Sequence, residues 1–95
     1  MLSEKQKDII IKILKPYQPR YIGVFGSFAR NEESSESDID LLYDFNKPIS
    51  LFALTDINEK LMERLNKKVD FIAKSALHPG IERSILKDLI TIYGT

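Results

Sequence analysis

The sequence contains no cysteine, so neither a disulfide framework nor a thiolate metal site can be built from it, and a reducing, cytoplasmic setting is expected. Its single histidine, His78, stands before Pro79 in a turn and reads as structural. With one imidazole and no thiol, a zinc cage and a Cys/His nucleophile system are both excluded. An excess of either charge is also lacking, since 14 Lys and Arg balance 14 Asp and Glu. A broad footprint on a phosphate backbone is therefore not expected, and direct nucleic-acid binding is set aside. Long apolar runs and low-complexity tracts are missing, and neither a membrane span nor a signal peptide is expected. What remains is an ordinary globular composition, 43% hydrophobic and 29% charged over 95 residues. That length supports one domain, 1–95, with a single core and no room for a second lobe.

Against this even background the acids are bunched. Residues 31 to 46 hold Glu32, Glu33, Glu36, Asp38, Asp40 and Asp44 without a Lys or Arg, a field attractive to a metal ion. Glu32, Glu33 and Glu36 read as a solvated loop. Asp38 and Asp40 differ, because they flank the start of the apolar run Ile39 to Phe45, and residues two apart on a strand project from one face. Upstream, Gly26-Ser27 follows the β-branched and aromatic stretch Tyr21 to Phe25. A glycine there lets backbone N–H groups approach a phosphate closely. Hard oxygen ligands beside a phosphate cradle point to magnesium and a nucleoside triphosphate. Asp70 lies in the short apolar strand Lys68 to Ile72, where an unpaired charge is costly. It is either a ligand or a solvent-facing residue at the strand end.

The remaining segments read as scaffold. Ser3 with Gln6 makes a capping box, and Ile9, Ile10, Ile13 and Leu14 recur at helical spacing until Pro16 stops the helix. A short helix through Phe28, Ala29 and Arg30 is expected after Gly26-Ser27, and residues 31 to 37 form a polar, mobile connector. Ser50 caps an amphipathic helix whose core face carries Leu51, Leu54, Ile57, Leu61 and Leu65, with Asp56–Lys60 and Glu63–Lys67 spaced as ion pairs. After Pro79-Gly80 comes a helix to about Lys87 and then a fourth strand, Leu89 to Tyr93, a single helix to Tyr93 being the competing reading.

Gly26-Ser27, Ala29-Arg30 and Ser37-Asp38-Ile39-Asp40-Leu41-Leu42, followed by Asp70 on a later strand, resemble the nucleotidyltransferase domain of the DNA polymerase β superfamily. Within it, the chain is most similar to the minimal nucleotidyltransferases paired with HEPN-domain toxins in prokaryotic toxin–antitoxin modules. Matched elements in the right order make this specific, where Gly-Ser alone would not. The resemblance spans nearly the whole chain and implies an α/β (α+β) fold. Its mixed sheet of about four strands would carry helices mainly on one face and leave the aspartate edge open. It also implies that Asp38, Asp40 and Asp70 are catalytic and ligate two Mg2+ ions, and that Gly26, Ser27 and Arg30 bind the nucleotide, ATP. Arg30 equally suits a salt bridge to the acidic connector. One departure is Asn31, where many relatives carry glycine, although Asn is the side chain that best tolerates a left-handed backbone.

Nothing in the chain looks like an acceptor-binding lobe, so the acceptor is expected to bring its own surface. The resemblance points to a tyrosine hydroxyl on a HEPN-domain toxin, adenylylated and silenced by this antitoxin. Two alternatives stand beside it: a non-catalytic antitoxin that neutralises its partner by binding alone, and a small-molecule nucleotidyltransferase whose pocket is completed across an oligomer interface.

Overall fold

The computed structural model describes residues 1–94. Helix α1 (Glu4–Leu14) opens on the expected capping box: Ser3 Oγ accepts from the Gln6 N–H at 3.1 Å, and Gln6 Oε1 accepts from the Ser3 N–H at 2.9 Å. Ile10 and Leu14, one helical turn apart, carry its buried face. The α-helix ends before Pro16 in a 3₁₀ turn over Lys15–Tyr17, as a residue without an N–H and with fixed φ requires.

Strand β1 (Pro19–Phe25) then leads through a turn and the acidic connector to β2 (Ile39–Phe45), α2 (Leu51–Leu65), β3 (Val69–Ala73), α3 (Pro79–Asp88) and β4 (Ile90–Gly94). The strands form one mixed sheet in the order β3-β2-β1-β4. β1 is antiparallel to both neighbours, whereas β2 and β3 run parallel. A parallel pair needs a crossover, which α2 supplies. The C-terminal stretch is a helix followed by a strand, because Ile90, Ile92 and Tyr93 pack onto the main core once β4 lies beside β1. No helix among the described residues is long and apolar enough to cross a membrane.

Helices α1 and α2 cover one face of the sheet. Ile10 and Leu14 meet Ile57, Leu61 and Leu65 there, over Ile22 and Val24 of β1 and Ile39 and Leu41 of β2. The other face is not left bare, however. Ile85 of α3 packs on Tyr21 and Leu42, with Phe25, Ile72 and Leu89 around them. Leu42, two residues after Asp40, shares the aspartate face; an apolar side chain there has to be shielded from water, and α3 does so.

Ser50 Oγ caps α2 by accepting from the Ala53 N–H at 3.1 Å. One expectation fails on this helix: Leu51, assigned to the core face, is 78% exposed, and its neighbour Phe52 is 90% exposed. The fully buried stripe is Ile57, Leu61 and Leu65, so the first turn of α2 contributes nothing to it. Truncating Leu61, which is 0% exposed, to Ala is expected to cost about 2–5 kcal/mol. Leu51→Ala should stay within about 0.5 kcal/mol of the parent protein. Urea unfolding with unchanged m-values checks both.

Candidate active site

β1 ends at Phe25, and the chain turns at Gly26 with φ 76°. A Cβ at this position would run into the Asp40 carboxylate, so glycine is demanded by the left-handed backbone and again by the acid beside it. The expected short helix is only a single turn. The Arg30 N–H donates to Gly26 O at 3.1 Å, the Asn31 N–H to Phe28 O at 3.4 Å and the Glu32 N–H to Ser27 O at 2.8 Å. With Asn31 left-handed at φ 59°, the last two bonds form the Schellman pattern that terminates helices. Asn31 thus fills the conformation that glycine would otherwise take. The N–H groups of Ser27, Phe28 and Ala29 have no backbone acceptor among the described residues. They are free donors of the kind found at a helix start.

The carboxylates are brought together by strand register. Asp40 of β2 stands directly opposite Asp70 of β3, on strands spaced about 4.8 Å apart. Asp38 lies two residues before Asp40, at the entrance to β2. Burial pushes the Asp40 carboxyl up to about 6, helped by its hydrogen bond with Asp70 and by the charges of Asp70 and Asp38, while Arg30 pulls the other way. Asp40 therefore keeps its proton to a higher pH than an exposed aspartate does. Among the described residues no set of three acid or histidine side chains is drawn tightly enough to form a ready cage for a metal. The donor chemistry nonetheless fits magnesium: hard carboxylate oxygens, no competing thiolate or imidazole, and like charges whose repulsion a divalent cation would relieve.

Arg30 is occupied. Its Nε donates to Glu32 at 2.6 Å and its Nη1 to Asp88 at 2.7 Å, and these two carboxylates raise its proton affinity further. The salt bridge to the acidic connector, one of the two roles foreseen for this residue, is thus formed. Asp88, at the end of α3, was not foreseen. Lys67 was missed as well. Instead of pairing with Glu63, its Nζ donates to Ser35 O at 2.9 Å and Ser37 O at 3.5 Å and lies 5.7 Å from the centroid of the Phe28 ring. It ties the connector just before Asp38 to the Gly26 turn. No local pattern reveals either contact, because the partners are 58 and about 30 residues apart in the chain. The connector, expected to be mobile, is folded back on itself, with the Ser34 N–H donating to Ser37 Oγ at 2.8 Å.

Comparison with known proteins shows the family of the chain. The family described as polymerase beta, nucleotidyltransferase matches residues 8–95. A Methanocaldococcus jannaschii protein named as a candidate protein adenylyltransferase is 43% identical over 91 residues, covering 90% of this chain and 93% of its own. The protein adenylyltransferase MntA of Thermococcus cleftensis is 38% identical over 73 residues, covering 77% of this chain and 74% of its own. Among solved structures, a toxin–antitoxin complex with AMP-PNP superposes with a TM-score of 0.82 at 22% identity, over 94% of this chain and 73% of that one. A complex of a tri-AMPylated Shewanella oneidensis HEPN toxin with an MNT antitoxin gives 0.78 at 20% identity, over 99% and 74%. At such identities the structural likeness is one of fold.

Two outcomes follow from the geometry. Gly26→Ala should lose about 1–3 kcal/mol of stability through the strained φ and the collision with Asp40, read as a drop in the urea midpoint. For Asp40, a native pKa raised above the unfolded value means that the folded state binds the extra proton, so stability falls as pH rises from about 4 through about 6 and stays lost above. In metal-free buffer Asp40→Asn should therefore be more stable than the parent at pH 7.5, by about 1 kcal/mol after allowance for solvent screening. The advantage should vanish at pH 4, as a pair of thermal melts at each pH would show.

Proposed function

This chain belongs to the polymerase beta nucleotidyltransferase family, and on that premise we propose that it is a cytoplasmic, magnesium-dependent protein adenylyltransferase. It moves AMP from ATP onto a hydroxyl of a partner protein. The partner is a HEPN-domain toxin, and the chain is the antitoxin of the module. The observation that carries the reading is the meeting of Asp40 and Asp70 across β2 and β3, with the Gly26 turn pressed against the same carboxylate. Relatives more than a third identical are named protein adenylyltransferases, and structures sharing the fold are toxin–antitoxin complexes, one of them with AMP-PNP.

Phosphoryl-type transfer asks the protein for positioning and charge neutralisation more than for covalent help. Gly26 and Ser27 hold the terminal phosphates through backbone N–H groups and the Ser27 hydroxyl, the free donors of the turn serving as the cradle. Asp38 and Asp40 would hold one magnesium ion and Asp70 would join them in holding a second. Bound there, magnesium supplies neutralisation of triphosphate charge and a lower pKa for the attacking hydroxyl. Asp70 accepts the proton of that hydroxyl. The hydroxyl oxygen forms a bond to the α-phosphorus of ATP, the bond from that phosphorus to the bridging oxygen breaks, and pyrophosphate leaves. Arg30, held by Glu32 and Asp88, reaches phosphate oxygens by giving up one of those partners.

Incubation of the HEPN-domain partner with this protein, ATP and magnesium should add AMP to the partner, seen by intact mass. Asp70→Asn should lower kcat about 10²- to 10⁴-fold, the contribution typical of a general base. The Asp38→Ala/Asp40→Ala variant should abolish transfer and lose magnesium-dependent ATP binding in calorimetry. Toxin neutralisation that persists undiminished in that variant would sink the catalytic reading and leave an antitoxin that acts by binding alone.

A further inference from the structure

Of the three acids, Asp38 has the least support of its own. Strand register fixes Asp40 and Asp70, but Asp38 precedes β2 by one residue. Among the described residues no hydrogen bond or ion pair reaches its carboxylate. Its place is therefore set by the chain on either side, and both sides are held by the same two residues. After it, the Ile39 N–H donates to Lys68 O at 3.0 Å. Before it, Lys67 Nζ donates to Ser37 O at 3.5 Å and to Ser35 O at 2.9 Å. Lys67 and Lys68 join Asn66, the left-handed residue that ends α2, to Val69, the buried first residue of β3. The anchor is thus tied to the core at both of its ends.

The Lys67 ammonium suits this task. It carries three donors and no acceptor, so it can gather two carbonyl oxygens at once. It also lies 5.7 Å from the centroid of the Phe28 ring, within the range of cation–π attraction. Phe28 belongs to the Gly26 turn and is buried in the main core, so one charge serves the connector and the turn together. A magnesium site is intolerant of a displaced ligand, because this ion demands near-ideal octahedral geometry. Simple electrostatics predicts the reverse effect for a lysine here. A positive charge bonded to the residue before Asp38 repels a cation, and its removal by itself would tighten metal binding. The sign of the change separates the two roles.

Resting on the reading that Asp38 helps to hold magnesium for adenylyl transfer, we propose that Lys67 is the positioning residue of the site. By binding the carbonyls of Ser35 and Ser37, its ammonium sets the connector in the conformation that presents Asp38 beside Asp40 and Asp70. It acts through the connector and not by contact with nucleotide or metal.

The test uses Lys67→Met, which keeps an apolar stem against Phe28 and removes the donors, and Lys67→Arg, which restores them. Lys60→Met removes a charge of α2 that is paired with Asp56 and serves as the control. Magnesium is titrated by calorimetry into each protein together with a non-hydrolysable ATP analogue, and amide hydrogen exchange is followed in metal-free buffer. In Lys67→Met the dissociation constant for magnesium should rise about 10- to 100-fold, as when a group that orients a metal ligand is lost. The Ser34, Ser37 and Ile39 amides, all hydrogen-bonded in the parent, should exchange faster, while the urea midpoint stays close to that of the parent. Lys67→Arg should recover most of the affinity, and Lys60→Met should match the parent. Magnesium affinity that is unchanged or increased in Lys67→Met overturns the proposal, as does unaltered exchange of the connector amides. So does an equal loss in Lys60→Met, or a Lys67→Arg protein that recovers none of the affinity. A parent that binds magnesium yet transfers no AMP fails the adenylylation reading alone, and the same comparisons still decide the role of Lys67. If the parent binds no magnesium at all, the metal-binding reading fails. Exchange then decides: faster connector amides in Lys67→Met uphold Lys67 as the residue that sets the connector, and unaltered ones overturn it.

Discussion

Asp40 and Asp70 are forced side by side by the parallel register of β2 and β3, and neither can move away without breaking the pairing of Ile39 with Val69 and of Leu41 with Phe71 on either side. The sheet pins two like charges in a half-buried position, and Asp40 answers by keeping its proton to a pH near 6. This arrangement costs stability wherever both carboxylates are ionised. Gly26 depends on the same constraint, since its missing side chain is the space that the Asp40 carboxylate occupies. The Gly26 turn and the acid pair are thus one packed unit.

The tethers around that unit have a common logic. The Gly26 turn is too short to be held by helix packing, so it is fastened from outside. Asn31 ends it, Arg30 ties it to Glu32 and Asp88, and Lys67 reaches from the end of α2 to the carbonyls of Ser35 and Ser37 while its charge lies near the Phe28 ring. These contacts are exposed and individually weak. Their value is positional: they relate three elements, α2, α3 and the connector, to the turn at which β1 ends.

Economy of size also explains the surface. Two of the helices and the sheet bury a continuous core, yet the first turn of α2 carries Leu51 and Phe52 into solvent, and the β3 edge stays open above an aromatic stack. An unpaired strand edge and exposed apolar side chains are features that another molecule can cover.

Much of this was legible in the residues. The capping box at Ser3, the stop at Pro16, the strand limits Ile39 and Phe45 and the cap at Ser50 all follow from local rules, because each is decided by atoms within a few positions of one another. The alternation that sets Asp38 and Asp40 on one face, and the tolerance of Asn31 for a left-handed turn, are local in the same sense. Tertiary structure alone decided the rest: that Asp70 falls opposite Asp40, that α3 shields Leu42, that Leu51 is left in water, and that Arg30 and Lys67 bind to Asp88 and the connector carbonyls. Each of these joins residues far apart in the chain, and their meeting is set by strand order and register, quantities that depend on how the whole core closes and that no window of sequence contains.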